Sequence, residues 1–360
     1  MKLFTCAHCG QYAYFENTYC EQCKYQLGFD ADSLQLRTLI TLDNGLLGFV
    51  DNKDSAVKYR YCSNHDYNAC NWLIPAESVS SFCRACELNR MIPDLSRSQY
   101  MDRWKTLESA KHRLIYSLVK MRLPLMSKTA DVANGLLFDF MADDGVNTEA
   151  IMTGHDNGVI TINIAEADDI EREMARRSMH EMYRTVLGHF RHEVGHYYWD
   201  RLIRDDENKL KEFRKLFGDE TIDYEEALKK YYQTGPPAGW GNNYISAYSC
   251  AHPWEDWAET WAHYLHIIDT LETAYSFGIR TKPLNMSKSE IKTDPYNVKD
   301  FNEIMALWLP LTFTMNSLNR SMGLKDAYPF IITPAVVDKL SFIHQLVITV
   351  GKENKLQPVS

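Results

Sequence analysis

The sequence contains no apolar run long enough to cross a membrane. Its most apolar late stretch, Met305–Met315, is interrupted by Pro310 and is shorter than the ~18 residues that a membrane-spanning helix needs. The first residues, Met1–Cys6, also lack the apolar segment of a secretory signal. We therefore expect a soluble, cytoplasmic protein that does not act at a membrane.

The sequence also has fewer basic residues than acidic residues. The 360 residues include 39 Lys and Arg against 48 Asp and Glu, which gives a formal net charge of −9. Such an acidic chain is a poor non-specific binder of nucleic acid, so we do not expect nucleic acid as a partner. Hydrophobic residues make up 45% and charged residues 24%, which excludes a disordered chain. The length suggests about two domains.

Cysteine is scarce beyond residue 90, where only Cys250 occurs. We interpret Cys250 as a buried small residue, because no catalytic Cys–His motif accompanies it. The other eight cysteines all lie before residue 90. In a cytoplasmic protein, such clustering favours metal binding over disulfide bonds.

The first four cysteines form two C-x2-C pairs, Cys6 with Cys9 and Cys20 with Cys23. Each pair fits a tight turn that directs two thiolates at one point, and two such turns complete a tetrahedral Zn²⁺ site. The alternative is a set of buried free thiols or a redox pair, although two neighbouring C-x2-C pairs rarely serve redox chemistry.

A second set of four cysteines follows with less regular spacing: Cys62, Cys70, Cys83 and Cys86. These residues predict a second four-thiolate zinc site. His65 is an alternative ligand, but four cysteines already fill the coordination shell. Because an all-cysteine shell has no open position, both sites are predicted to be structural and to supply folding free energy.

Hydrophobic patterns predict an α+β protein with two regions. Residues 1–95 are expected to form a small β-rich zinc-ribbon region, with short hairpins between Leu36 and Tyr61. Residues 96–355 are expected to form a mainly helical domain. The elements predicted there are a strand over Val159–Ile164 and helices over Ser98–Lys120, within Glu166–Leu202, over Phe301–Met322 and over Pro334–Val350.

The segment Glu166–Leu202 contains an H-E-x-x-H motif, in which the named positions are His192, Glu193 and His196. Helical spacing places both histidines on one face, one turn apart, where they can bind one Zn²⁺. Glu193 lies beside them and can take a proton from a zinc-activated water. The alternative is a surface helix with two unconnected histidines, but the motif has apolar neighbours.

The third ligand distinguishes the classes of zinc peptidase. In metzincins a Gly and a third His follow the motif, and Trp199 and Leu202 hold those positions here, so that class is excluded. Gluzincins take a Glu from a later helix, and the segment Trp254–Ala262 supplies Glu255 and Glu259 on one helical face. We predict that Glu255 binds the metal and that Glu259 orients a ligand histidine. The reverse assignment stays open, while the interleaved tryptophans argue against a solvated acidic face.

These motifs carry a resemblance to known families. H-E-x-x-H followed by Glu255-Asp256-Trp257-Ala258-Glu259 resembles the gluzincin metallopeptidases with an E-x-x-A-E helix, including the anthrax lethal-factor type. Together with the two cysteine sets, the segments Gly188–Asp200, Cys70–Pro75 and Thr161–Asp169 resemble an uncharacterised bacterial family of zinc-binding metallopeptidases. The resemblance extends from Cys6 to about Ile268.

The gluzincin resemblance implies two further features. A tyrosine seven residues before the ligand Glu stabilises the oxyanion in the lethal-factor type, and Tyr248 holds that position here. Tyr244 is a weaker candidate, and a packed core tyrosine is the alternative. The resemblance also implies that the strand Val159–Ala165 lies at a sheet edge and pairs with substrate backbone, unless it is an interior strand. The remaining histidines of this region are interpreted as structural: His155, His180, His189, His252, His263 and His266.

The leading hypothesis is therefore a zinc-dependent peptidase with one catalytic and two structural Zn²⁺ ions and a peptide or protein substrate. Glu193 would be the general base, and Tyr248 would assist at the oxyanion. The alternative is a zinc-ribbon module that binds protein or nucleic acid and uses a degenerate peptidase scaffold, although the intact Glu193 argues against degeneracy. A third possibility is hydrolysis of a non-peptide amide. The sequence predicts no oligomeric state.

Overall fold

The computed structural model describes residues 2–52, 56–143, 151, 153–169, 172, 185–281 and 289–356. The strands in these ranges are β1 Phe4–Thr5, β2 Tyr12–Ala13, β3 Leu27–Asp30, β4 Gln35–Thr41, β5 Leu47–Phe49, β6 Tyr59–Tyr61, β7 Leu73–Pro75, β8 Asn89–Met91, β9 Leu137–Met141, β10 Gly154–Asp156, β11 Val159–Asn163, β12 Arg280–Thr281 and β13 Ser289–Glu290. The α-helices are α1 Ser98–Lys120, α2 Val186–Leu202, α3 Glu207–Phe217, α4 Tyr224–Thr234, α5 Pro253–Ser276, α6 Phe301–Ser321 and α7 Pro334–Leu356. The protein is of the α+β class, with a β-rich region first and a helical region after it.

The chain forms two compact units. The first comprises residues 1–120, 125–154 and 158–168, and the second comprises residues 121–124, 155–157 and 169–360. The first unit includes α1. The reason is aromatic packing, because the ring of Tyr116 in α1 lies 5.5 Å from that of Phe15 and 6.0 Å from that of Phe29.

A five-stranded antiparallel meander lies in the first unit. Strands β3 to β7 follow one another in the sheet in chain order. The hairpins predicted between Leu36 and Tyr61 are confirmed by β4, β5 and β6. Gly45 closes the turn between β4 and β5 with φ of 79°, a left-handed conformation that favours glycine. The side chains of Leu39, Leu47, Phe49 and Leu73 form a buried cluster on this sheet.

A second sheet has the strand order β10-β11-β9-β8, in which β8 and β11 both run parallel to β9. The strand predicted at Val159–Ile164 is confirmed by β11. Its predicted place at the sheet edge is wrong, because β10 lies on its outer side. Asn157 and Gly158 join these two strands with φ of 44° and 79°. Two successive positive φ values are typical of a two-residue hairpin, which folds β10 back along β11.

The second unit is helical around α2 and α5. The helix predicted near the motif is present as α2, and Thr185 caps it by accepting a hydrogen bond from the Gly188 N–H at 2.9 Å. The rest of the predicted helical segment includes residues 170–171 and 173–184, which lie outside the described residues. Helices α6 and α7 confirm the two predicted late helices, and α6 continues through Pro310. No helix in the described ranges is both long and apolar enough to cross a bilayer.

Gly195 explains how closely α2 and α5 approach. A Cβ atom added at Gly195 would lie 3.0 Å from Ala258 Cα and 3.2 Å from Trp261 Cβ. The indole Nε1 of Trp257 donates a hydrogen bond to the Gly195 carbonyl at 2.8 Å. The glycine inside the H-E-x-x-H motif therefore lets the histidine-bearing face of α2 lie directly against the acidic face of α5.

Candidate metal centres

The first four cysteines converge at one point in the first unit. Cys6 Sγ lies 3.6 Å from Cys23 Sγ, and Cys9 Sγ lies 3.6 Å from Cys20 Sγ. Sulfurs bound at ~2.3 Å to one tetrahedral zinc lie about 3.8 Å apart, so the cluster has the size of a zinc site. All four are free cysteines.

Both C-x2-C pairs of this site use the same turn. The N–H of Gly10 donates to the Cys6 carbonyl, and the N–H of Lys24 donates to the Cys20 carbonyl, each at 2.9 Å. Gly10 and Lys24 occupy corresponding positions and have φ of 78° and 63°. Burial would raise the pKa of the Cys6 thiol, but hydrogen bonds, chiefly from the Cys9 N–H, lower that pKa to about 6. These hydrogen bonds favour the zinc-binding thiolate form of Cys6. At Cys9 and Cys23, backbone hydrogen bonds from Gln11 and Tyr25 lower the pKa values, but burial and the neighbouring thiols outweigh these bonds and raise both pKa values.

The second four cysteines also converge, and all of them are buried. Cys70 Sγ lies 3.7 Å from Cys83 Sγ, and the Cys83 N–H donates to Cys62 Sγ at 3.3 Å. The neighbouring thiols, Cys70 first, hold the pKa of Cys62 far below its ordinary value. His65 is not among these ligand atoms. Its ring stacks on Tyr61 at 3.7 Å, and its Nδ1 lies 3.0 Å from the Cys70 carbonyl oxygen.

A buried ionic cluster lies against Cys86. His112 Nε2 is 3.5 Å from Cys86 Sγ, and His112 Nδ1 donates to the Glu108 carbonyl at 2.6 Å. The Glu108 carboxylate is paired with Lys111 Nζ at 2.9 Å and accepts a hydrogen bond from the Asn89 amide. Lys111 and Asn89 already bind this carboxylate, which leaves it poorly placed to bind a metal. We therefore interpret the cluster as a group that supports the second cysteine site, and not as a separate metal site.

Helices α2 and α5 bring three further ligand atoms to one point in the second unit. His192 Nε2 lies 3.2 Å from His196 Nε2 and 3.1 Å from Glu255 Oε2. His196 Nε2 lies 3.5 Å from Glu255 Oε1. Ligand atoms bound at ~2.0–2.1 Å to a tetrahedral zinc lie about 3.3 Å apart. The triangle formed by these side chains therefore has the dimensions of a zinc site.

The hydrogen bonds of these side chains are also those expected of metal ligands. Glu255 Oε2 is buried and accepts no hydrogen bond from the residues that the structure describes. His192 Nδ1 faces the Glu259 carboxylate at 2.7 Å, so Nδ1 carries a proton and Nε2 is the nitrogen available to a metal. His192 Nε2 and Glu255 Oε2 thus face each other in a buried place, where a bound cation would stabilise both atoms. Two imidazoles and one carboxylate form a donor set that suits zinc.

Glu255 and Glu259 occupy different places around His192. Glu255 lies beside the Nε2 atoms of both histidines, whereas Glu259 lies on the Nδ1 side of His192. Burial opposes ionisation of Glu255, but the charge of His196 and the contacts of His192 hold its pKa at about 2. Burial also opposes ionisation of Glu259, and its hydrogen bond with His192 holds its pKa at about 2. This geometry favours Glu255 as the ligand over the reverse assignment.

Glu193 lies beside the triangle as a buried, ionised carboxylate. Its Oε1 is 3.4 Å from Nε2 of His189, one turn earlier on α2. Burial raises the pKa of Glu193. The hydrogen bond from His189 and the charges of the neighbouring histidines outweigh this effect, so the pKa lies below its ordinary value. The carboxylate is therefore able to accept a proton at neutral pH.

Three tyrosines differ in the residues that they contact. The Tyr248 ring lies 6.1 Å from the His192 ring, and its hydroxyl makes no hydrogen bond to the described part of the chain. Burial raises the Tyr248 pKa, so the phenol keeps its proton. Tyr244 packs elsewhere, with Lys339 Nζ 4.5 Å from its ring centroid. The Tyr224 hydroxyl donates to Glu255 Oε1 at 2.6 Å, a contact that no local spacing in the sequence indicates.

Two residues interpreted as structural lie closer to the site than expected. His189 contacts Glu193, and the i, i+4 spacing on α2 is a signal that could have identified it. The His155 ring lies 6.3 Å from the His196 ring and nearly parallel to it. Cys250 is half-buried rather than fully buried, and burial raises its pKa to about 11, so it remains a neutral thiol.

Two known families match parts of the chain. Residues 100–346 match the family described as "Putative zinc-binding metallo-peptidase", and residues 3–97 match a zinc-ribbon domain. The chain belongs to this metallopeptidase family and carries an N-terminal zinc ribbon. The family and the clustered cysteines together support zinc binding.

The curated relatives have no assigned activity. The chain is 40% identical over 347 residues to the uncharacterized protein Rv2568c of Mycobacterium tuberculosis and to the uncharacterized protein Mb2598c of Mycobacterium bovis. Each alignment covers 96% of this chain and 95% of the relative. No solved structure matches the chain significantly.

Proposed function

We propose that this protein is a zinc-dependent peptidase of the gluzincin class, with His192, His196 and Glu255 as the ligands of the catalytic ion. The observation that carries the proposal is the triangle of His192 Nε2, His196 Nε2 and the Glu255 carboxylate, with separations of 3.1 to 3.5 Å. Glu255 Oε2 supports it further, because this buried atom has no hydrogen-bond partner among the residues that the structure describes. Two more zinc ions would be structural, one at each cysteine set.

The residues around this triangle suit hydrolysis of an amide bond. A zinc ion held there would acidify a water molecule and polarise the substrate carbonyl. Glu193 would accept a proton from the attacking water and return it to the leaving amine. The Tyr248 phenol donates a hydrogen bond to the carbonyl oxygen as negative charge develops on it. Glu259 holds the ring of His192 in the tautomer that directs Nε2 inward.

The proposed substrate is a peptide or a protein, and the proposed compartment is the cytoplasm. The eight clustered cysteines form no disulfide bonds in the described structure, and unpaired or zinc-binding cysteines persist in a reducing compartment. The net charge of −9 gives no support to nucleic acid as a partner.

The first test of the proposal is the number of zinc ions per chain. Elemental mass spectrometry on the purified protein should find three, and the His192→Ala/His196→Ala double variant should keep two. The double variant keeps both cysteine sites, so the two zinc ions bound there serve as an internal reference for the measurement. Two zinc ions in both proteins would contradict the metal assignment at α2.

The second test is whether cleavage depends on Glu193. We expect Glu193→Gln to keep its third zinc and to cleave a peptide library ~10²–10⁴-fold more slowly, because only the proton-accepting charge is removed. Equal cleavage by both proteins would contradict the mechanism. A partner bound without any Glu193-dependent cleavage would favour the zinc-ribbon binding module instead.

A further inference from the structure

Tyr224 makes the polar contact that distinguishes the two oxygens of Glu255. It is the first residue of α4, directly after Asp223, whose side chain caps the helix by accepting from the Glu226 N–H at 2.8 Å. From there the Tyr224 hydroxyl donates to Glu255 Oε1 at 2.6 Å. Glu255 is almost completely buried, so this phenol is a directional donor in a place with little water.

The contact leaves the carboxylate of Glu255 asymmetric. Oε1 accepts a hydrogen bond from the phenol, whereas Oε2 has no hydrogen-bond donor among the described residues and lies 3.1 Å from His192 Nε2. A carboxylate with one oxygen engaged cannot rotate freely and presents the other oxygen to a cation. The hydrogen bond thus sets both the rotamer of Glu255 and the oxygen that faces the metal.

Tyr224 is itself held by the start of the helix that carries Glu255. Its ring lies 5.1 Å from the ring of His252, the N-cap of α5, and 6.1 Å from that of Trp254. His252 Nδ1 accepts from the Trp254 N–H at 3.0 Å, so its Nε2 carries the proton and donates to the Ile222 carbonyl at 3.2 Å. The chain entering α4 is therefore fixed to the start of α5 at two points.

Helix α4 is otherwise a surface helix. None of its side chains is fully buried, so apolar burial contributes little to holding it in place. Its contact with Glu255 links it to the proposed catalytic ion through a single intervening residue. Removal of the phenol would loosen the third ligand and this end of α4 together.

We propose that Tyr224 is a positioning residue for the metal site: its phenol holds Glu255 with Oε2 directed at the metal and couples α4 to the loaded site. This inference rests on the proposed role of Glu255 as a ligand. It adds a requirement that the H-E-x-x-H and E-x-x-A-E motifs do not contain, namely a donor from a separate helix.

The test compares Tyr224→Phe with Tyr232→Phe, which removes the same hydroxyl from an exposed position of the same helix. Zn²⁺ affinity of the third site is measured by chelator competition on the full chain. We expect ~10–100-fold weaker binding in Tyr224→Phe, as is typical when a hydrogen-bond partner of a ligand is lost. Tyr232→Phe should bind as the wild type does.

A spectroscopic readout separates positioning from general destabilisation. The third site is loaded with Co²⁺, and the visible d–d spectrum is taken as a difference from the His192→Ala/His196→Ala variant, which removes the contribution of the cysteine sites. Tyr224→Phe should change this spectrum while the far-UV circular dichroism stays that of the wild type. Unchanged affinity and an unchanged cobalt spectrum would overturn the inference alone. A wild-type chain without a third metal would overturn the metal assignment and the inference with it.

Discussion

His192 donates its Nδ1 proton to Glu259 Oε1 at 2.7 Å, on the side of the ring opposite the three converging ligand atoms. Because an ionised carboxylate only accepts, the bond keeps a proton on Nδ1 and leaves Nε2, on the side of His196 and Glu255, as the nitrogen available to a metal. Glu259 lies one turn beyond Glu255 on α5. A single helix thus supplies a proposed ligand and the group that orients another ligand on α2.

Glu259 should therefore affect metal affinity without touching the metal. We expect Glu259→Ala to weaken Zn²⁺ binding at the third site ~10–100-fold. Glu259→Gln should lose less, because its amide oxygen can still accept from His192 Nδ1. Chelator competition measures both. Equal affinities in the alanine variant and the wild type would mean that the ring is oriented by packing instead.

The two candidate oxyanion tyrosines should separate in kinetics. The Tyr248 ring lies 6.1 Å from the His192 ring, and its hydroxyl has no hydrogen-bond partner among the described residues, whereas Tyr244 packs against Lys339. Tyr248→Phe should reduce kcat on a cleaved peptide ~10²–10³-fold with zinc content unchanged, because it removes one donor to the developing oxyanion. Tyr244→Phe is the matched control and should leave kcat near the wild-type value. The opposite ranking of the two variants would transfer the role to Tyr244.

Those parts of the site that depend on spacing within one element could be predicted from the sequence. The C-x2-C pairs converge because a short turn fixes the two sulfurs, and His192 and His196 share a face because a helix repeats every 3.6 residues. The same rule places Glu255 and Glu259 on one face of α5. In each case the backbone geometry determines the relation and the rest of the fold adds little.

Contacts that depend on how separate elements approach could not be predicted in this way. Tyr224 reaches Glu255 only because the chain before α4 folds back on the start of α5, and no spacing encodes that path. His112 reaches Cys86 only through the packing of α1. The edge-strand error is different, because Asn157-Gly158 is itself a hairpin signal and a hairpin requires an outer strand beside β11.

Gly195 should be intolerant of even one methyl group. Its added Cβ would lie 3.0 Å from Ala258 Cα, so Gly195→Ala must move α2 away from α5. We expect a loss of about 1–3 kcal/mol in the free energy of unfolding, together with weaker zinc binding at the third site. Urea unfolding and chelator competition measure the two effects.

The control for this substitution is Gly241→Ala, where an added Cβ meets no atom within 4 Å. This variant should unfold and bind zinc nearly as the wild type does. A similar effect of both substitutions would mean that loss of glycine flexibility, and not the close approach of α2 and α5, is responsible.

Lys111 and Glu108 form a fully buried ion pair beside the second cysteine site. Lys111→Met removes one charge and leaves the Glu108 carboxylate buried beside the sulfur of Cys86. Breaking such a pair from one side typically costs about 3–5 kcal/mol in the free energy of unfolding. Urea unfolding followed by zinc release to a chromogenic chelator should show zinc leaving at a lower urea concentration.

Two further variants identify the source of this loss. Arg320→Met breaks an exposed pair with Asp326 and should change stability little. The double variant Lys111→Met/Glu108→Leu removes both buried charges and should recover much of the stability, because no unpaired carboxylate remains. If the double variant stays as unstable as Lys111→Met, the loss arises from disturbed packing around His112 and Cys86, and the charge argument is contradicted.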